Sequence, residues 1–220
     1  MSNLITPPAR LAPLCLACLL GSPAFALAEE VTELDAVTVT GEKFDEVARA
    51  REALTKVPGG TNVVDMQQVE QGRVSGVADV LAYQPGVYAQ SPGNEGVKIS
   101  IRGSGINRGP GAHASGNHIL LDGLPLTGSG GTPYELLEPL WLSRAEVLRG
   151  ANGFERGALA LGGAVDYITR SGFDAPRLQL RMEAGSDGYL KRHIASGQVI
   201  GDLDYYVGIT DLHYDGQQDH

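Results

Sequence analysis

The stretch "RLQLRMEAGSDGYLKRHIASGQVIGDLDYYVGITDLHY", Arg177 to Tyr214, marks a change in the texture of the chain. At its start Leu178, Leu180, Met182 and Ala184 alternate with Arg177, Gln179, Arg181 and Glu183. A period of two puts the apolar set on one face of a strand and the polar set on the other. "SDG" then makes a turn, and "YLKRHIASGQVI" is a second segment. Gly201-Asp202 makes another turn before "LDYYVGITDLHY". Segments of about ten residues with two-residue alternation, short turns and aromatic side chains carry the weak signature of a transmembrane β-barrel. A soluble antiparallel meander reads the same way, so these three segments alone leave both open.

The N-terminus tilts the balance. Arg10 is the only charged residue before Glu29, and Leu11 to Ala28 runs without charge. Ala26-Leu27-Ala28 is an A-x-A cleavage pattern, with Ala24-Phe25-Ala26 as a second register. The strongly apolar part, Leu11–Leu20, is half of the roughly 20 residues a membrane helix needs, and Pro13, Gly21 and Pro23 weaken it further. Residues 1–28 therefore read as a cleaved signal peptide. Cys15 and Cys18 lie inside it, so the processed chain carries no disulfide and no thiolate metal site. From Glu29 on there are 16 basic against 26 acidic residues, which argues against nucleic acid as a partner. A secreted chain without cysteine fits an outer-membrane strand reading better than a disulfide-stapled one.

Residues 29–53 are polar and charged and read as a mobile leader, with compact sequence beginning near Leu54. "VPGGTNVVDMQQV" predicts a turn, a short strand over Thr61–Val64 and a short helix capped by Asp65. "SGVADVLAYQPG" predicts a helix on Val77, Val80 and Leu81, stopped at Gln84-Pro85-Gly86. "VKISIRG" sets Val97, Ile99 and Ile101 against Lys98, Ser100 and Arg102, a strand pattern. "HILLDGLPL" reads as a strand with an Asp122-Gly123 turn, and "RAEVLRG" and "GAVDYITR" as two more strands. Glycine makes up 30 of the 220 residues, about double the usual ~7%, and clusters in long loops between Gln90 and Tyr134. Residues 54–171 thus form a small mixed α/β unit with short helices and long Gly-rich loops, and 172–220 begin an antiparallel barrel that the chain does not complete.

Read together, these motifs resemble a family. "VADVLAYQPGVY", "ISIRG", "ILLDGLPL", "AEVLRG" and "GALALGGAVDYITR" resemble, in order, the plug-domain motifs of TonB-dependent outer-membrane receptors. The loops "IRGSGINRGPGAHASG" and "TPYELLEPLWLSRAEVLRGANGFERGALALGG" resemble the ferric-citrate and siderophore branch. Ahead of them "DAVTVTG" (Asp35, Ala36, Val37, Thr38, Val39, Thr40 and Gly41) resembles the TonB box. In the family this box adds as a strand to a sheet edge of the periplasmic protein TonB, whose inner-membrane complex supplies energy. Extended β-branched residues on a tether suit that use. The box starts about seven residues past Ala28, so the separate signalling domain of some receptors has no room before it.

The resemblance also implies residue roles. Arg102 and Arg149 match plug arginines that face glutamates on the barrel wall, where a partly desolvated guanidinium needs a carboxylate. The loops "AQSPGNEG", "SGINRGPGAHASGNH" and "TGSGGTPYE" resemble plug apices that meet the ligand. Gln90, Asn107, Arg108 and His113 are the polar side chains expected there, with Arg108 suited to an anionic chelate. His113 and His118 have no evident third ligand, and no resident metal or cofactor is expected; iron would arrive inside the ligand. Enzyme signatures are missing from the sequence: no G-x-S-x-G or Walker A occurs, and Arg108 breaks "RGSGINRG" at the third glycine of G-x-G-x-x-G.

The expected function is energy-coupled uptake of a ferric chelate across a Gram-negative outer membrane, with the plug and box reached from the periplasm. Its partners would be TonB, the chelate and outer-membrane lipid. The rival from another class is a truncated or plug-only module that binds TonB without transporting.

Overall fold

In a computed structural model, residues 45–91, 97–105, 116–128, 131–157 and 161–215 are described. They belong to one compact unit that spans Gly41–His220. The TonB-box stretch 35–41, and Asn107, Arg108 and His113, lie outside the described residues.

The first element is helix α1, Glu46–Thr55. Its presence corrects the expectation of a mobile leader up to residue 53. Asp45 caps it, accepting from Ala48 N at 2.9 Å, and Ala50 and Leu54, one turn apart, are buried. Glu46 pairs with Arg144 at 3.2 Å. A cap, two buried side chains and one ion pair hold a helix whose sequence looks merely charged.

Strand β1 (Thr61–Asp65) leads into helix α2 (Met66–Val69), where Asp65 is the expected N-cap, accepting from Gln67 N. Helix α3 (Val77–Leu81) buries Val77, Val80 and Leu81. β2 (Val87–Gln90) and β3 (Lys98–Ile101) form an antiparallel hairpin. Ile99 and Ile101 are buried as their alternation predicts, but so is Ser100, because both faces of this strand are covered. β4 (Asn117–Leu121) turns through Asp122 and Gly123, both at positive φ, into β5 (Leu124–Pro125). Two positive φ values in a two-residue loop are the backbone a tight hairpin needs. β6 (Leu142–Arg149) and β7 (Gly163–Thr169) complete a five-stranded sheet in the order β1-β6-β7-β4-β5. Only β4 and β7 are parallel in it.

One face of this sheet packs with α2, α3 and the β2–β3 hairpin around Met66, Leu81, Ile99, Ile119, Leu140 and Tyr167. The sheet register also defines two ends. Thr61, Arg149, Gly163 and Asn117 share one end, from which the long loops leave. Asp65, Leu142, Thr169 and Asp122 share the other, and Glu46 of α1 joins them through Arg144.

After Arg170 the chain builds a second, three-stranded antiparallel sheet of β8 (Gln179–Ala184), β9 (Leu190–Ile200) and β10 (Leu203–His213), in the order β10-β9-β8. Leu180, Ile194 and Ile209 are register partners and form an exposed apolar row. The next row, Arg181, His193 and Thr210, faces the first domain, and His193 Nδ1 lies 2.9 Å from Thr210 Oγ1. Leu180 and Met182 are 69% and 71% exposed, while Lys191 on the inner face is 1% exposed. An outside that is apolar apart from the exposed Arg192–Asp211 pair, over a charged inside, inverts the usual soluble arrangement and matches a wall that faces lipid.

Candidate functional site

Arg149 ends β6 and is buried. Its Nε donates to Pro85 O at 2.7 Å, its Nη1 to Gly60 O at 3.2 Å, and its Nη2 to Asn62 Oδ1. It therefore staples the loops before β1 and β2 to the end of β6. All three acceptors lie inside the domain, and no wall carboxylate is among the partners of Arg149 in the described residues. Burial, reinforced by the neighbouring Arg102 charge, pushes its pKa down from the usual arginine value.

Arg102 follows β3 at φ 53, so the strand ends one residue before it. Its guanidinium lies over backbone: a Cβ on Gly60 would sit 2.7 Å from Nη2, and one on Gly150 3.0 Å from Nη1. Among the described residues neither arginine meets a carboxylate. Two adjacent cations are instead held by carbonyls, an amide and glycine-opened space. Gln90 closes β2, accepts from the Tyr88 hydroxyl and is exposed. It lines an open cleft of about 1220 Å³ between α3 and the strand wall, together with Asp79, Arg181 and Tyr189. Arg102 leaves the opposite end of the β2–β3 hairpin, since Val87 pairs with Ile101 and Gln90 with Lys98. His118 is buried on β4 against Gly157, where an added Cβ would lie 2.7 Å from its Nδ1.

Two charged clusters escaped the sequence reading. The first covers the sheet face away from α2 and α3. Glu146 of β6 and Asp166 of β7 are direct cross-strand partners. Arg156 bridges them, at 2.8 Å to Glu146 and 2.9 Å to Asp166, and Arg144 links Glu146 on to Glu46. Asp166 also accepts from Gly123 N at 3.0 Å. Burial raises the Asp166 pKa, against the lowering pull of the Gly123 N–H and of Arg156. Like charges opposite each other destabilise a sheet unless a cation lies between them.

The second cluster lies between the domain and the wall. Arg181 donates to Glu70 O and Gly72 O, each at 2.6 Å. Lys191 donates to Val74 O at 2.7 Å and pairs with Glu138 at 2.8 Å. The Glu70 carboxylate takes Arg170 and Gln179. Its pKa is raised by burial, with Arg170 and Arg181 pulling the other way. The sequence signal was present: Arg181, Lys191 and His193 all occupy the polar positions of alternating strands.

A mixed sheet with short helices, pressed by polar contacts against strands that are apolar outside, is a plug seated on the opening strands of a β-barrel. The TonB-dependent receptor plug-domain model matches residues 53–164, and the chain belongs to that family. It is also 27% identical over 177 residues to the vitamin B12 transporter BtuB of Vibrio vulnificus, covering 79% of this chain and 27% of that protein. The chain thus spans about a quarter of that relative's length. Among solved structures, pyoverdine-bound FpvA of P. aeruginosa matches with a TM-score of 0.58 at 20% identity, over 72% of this chain and 21% of that one. The siderophore receptor PirA of Acinetobacter baumannii matches at 0.51 and 20% identity, over 73% and 25%. These two likenesses speak to the fold.

Proposed function

We propose that this chain forms the plug and first wall strands of a TonB-dependent transporter that takes up a ferric chelate across the outer membrane. The observation that carries the reading is the polarity of the domain. Helix α1, the first described element after the leader, begins at the end of the sheet where the chain passes into the wall, through Glu46–Arg144 and Arg170–Leu142 O. The Gly-rich loops after Arg102 and Arg149 leave from the other end. Such a plug presents its leader to the periplasm and its loops to the outside.

In this reading Asp35–Gly41 pairs with TonB as an added strand, and backbone hydrogen bonds carry force into α1. Asn107, Arg108 and His113 meet the ligand from the loop after Arg102, with Arg108 recognising carboxylates or other anions of the chelate, and Gln90 meets it from the separate cleft beside the strand wall. Arg102, exposed and poised over glycines, is the more open of the two plug arginines to a wall carboxylate. Iron is cargo held by its chelator, the protein contributes no resident cofactor, and no catalytic step is assigned to it. A relative named for vitamin B12 transport supports a chelated-metal cargo. The test is growth of a strain on single ferric chelates as iron source, with and without the gene. Loss of growth on one chelate supports the reading; no dependence on any chelate, with cobalamin uptake dependent on the gene, replaces ferric cargo by a corrinoid.

A further inference from the structure

We propose that Lys191 and Arg181 clamp residues 70–75 to the strand wall and make this loop the fixed point of the plug. A load that enters at Asp45 meets α1 first, then β1, then α2. α1 is docked by two buried side chains and the Glu46–Arg144 pair. β1 is an edge strand, bonded to β6 alone among the sheet strands. Edge elements with a single ladder open more readily than strands held on both sides. α2 has four residues.

Up to residue 69 the charged ties, Glu46–Arg144 and Arg149 to Gly60 O and Asn62, run to cations of the plug itself, and from residue 70 the cations belong to the wall. Within six residues the main chain offers four carbonyls to wall cations, Glu70 O and Gly72 O to Arg181, and Val74 O and, at 3.5 Å, Ser75 O to Lys191. Charge-assisted hydrogen bonds are about twice as strong as neutral ones, and the Lys191–Val74 O bond lies out of water. Lys191 is almost completely buried, and its charge is matched by Glu138 at 2.8 Å. Removing the lysine alone would leave Glu138 facing the wall without its cation, so the pair is strongly resistant to opening. The cations sit on the wall and the acceptors on the plug, a polarity opposite to that expected of Arg102 and Arg149. The plug side consists largely of main-chain oxygens, so the clamp holds the loop's course and is indifferent to most of its side chains. Residues 45–69 then form the part that yields to a pull on the leader, and residue 70 onward stays with the wall. The transport reading supplies the source of the load; the clamp itself is independent of it.

Native-state hydrogen exchange of the full-length protein in detergent micelles, at increasing urea, tests this without ligand or TonB. Amides of 46–65 are expected to open at lower urea than those of 70–75. In Lys191→Met/Glu138→Gln, which removes the pair but keeps its shape, exchange at 70–75 rises about ten- to a hundredfold, the worth of one or two charge-assisted hydrogen bonds. Residues 117–121 stay unchanged. Arg181→Met, at a more exposed position, serves as the second variant and acts in the same direction. Lys191→Arg keeps the cation and most of the protection. Opening of 70–75 together with or before 46–65 in the unaltered protein overturns the clamp. Unchanged exchange at 70–75 in both Met variants, or loss in Lys191→Arg equal to that in the double variant, does so as well. Uptake plays no part in the readout, so failure here leaves the transport reading standing, and failure of uptake leaves the clamp standing.

Discussion

Glu146 and Asp166 stand directly opposite each other on β6 and β7, and the Arg156 guanidinium gives one nitrogen to each. Two buried carboxylates in register are tolerable only because that cation spans them. Burial raises the Asp166 pKa, so folding disfavours its charged form relative to the unfolded chain. Its burial penalty is absent below the unfolded value near 3.8 and grows as pH climbs through the raised folded value. Arg156→Leu is expected to destabilise the plug by about 2–4 kcal/mol at neutral pH, with part of the loss recovered on acidification as a proton replaces the cation. Urea midpoints of the variant and the unaltered protein at pH 7 and pH 4.5 check the sign. A loss that grows at the lower pH contradicts it.

Arg149 and Arg102 look equivalent in sequence but not in space. Arg149 satisfies Pro85 O, Gly60 O and Asn62, whereas Arg102 is exposed above Gly60 and Gly150. Arg149→Leu strands Pro85 O and Asn62 Oδ1, while Gly60 O keeps the main-chain N–H of residue 149, and is expected to cost about 2–3 kcal/mol. Arg102→Leu is expected to cost under about 1 kcal/mol in plug stability, in line with an exposed site. Thermal unfolding of the two variants decides, and equal losses would mean that Arg149 is not the staple.

Gly163 opens β7 at φ 144, and an added Cβ would run into Leu148 O, a main-chain atom of the neighbouring strand. That oxygen cannot swing aside as a flexible side chain can. Gly163→Ala is expected to cost about 2 kcal/mol or more, combining backbone strain with the clash. Gly123→Ala, at φ 77 but with open space around it, carries strain alone and costs less, about 1 kcal/mol. Unfolding midpoints of the pair give the order, and reversal of that order contradicts this account.

Much of the fold was legible because it rests on short-range periodicity. Val77, Val80 and Leu81 announce α3, Ile99 and Ile101 announce β3, and Leu180 and Met182 announce the wall. Helix α1 was hidden, since only Ala50 and Leu54 of its ten residues are buried and its docking partner Arg144 lies 98 residues away. The role of Arg149 was hidden for the same reason: Pro85, Gly60 and Asn62 are 64, 89 and 87 residues distant. The wall contacts fall between these cases. Alternation shows that Arg181 and Lys191 face inward, but nothing local says that they meet the carbonyls of residues 70–74.

The central claim, that the leader box drives transport, is tested most directly by Val37→Pro in the full-length receptor. Proline removes a strand donor and breaks a ladder, so pairing with TonB fails while the plug loops are untouched. The measurement is accumulation of radioactive iron from the chelate that supports gene-dependent growth, alongside binding of that chelate to whole cells. Uptake is expected to fall at least about tenfold, the loss that accompanies about 1.4 kcal/mol or more of lost pairing, with binding unchanged. Unaltered uptake in Val37→Pro would contradict the account.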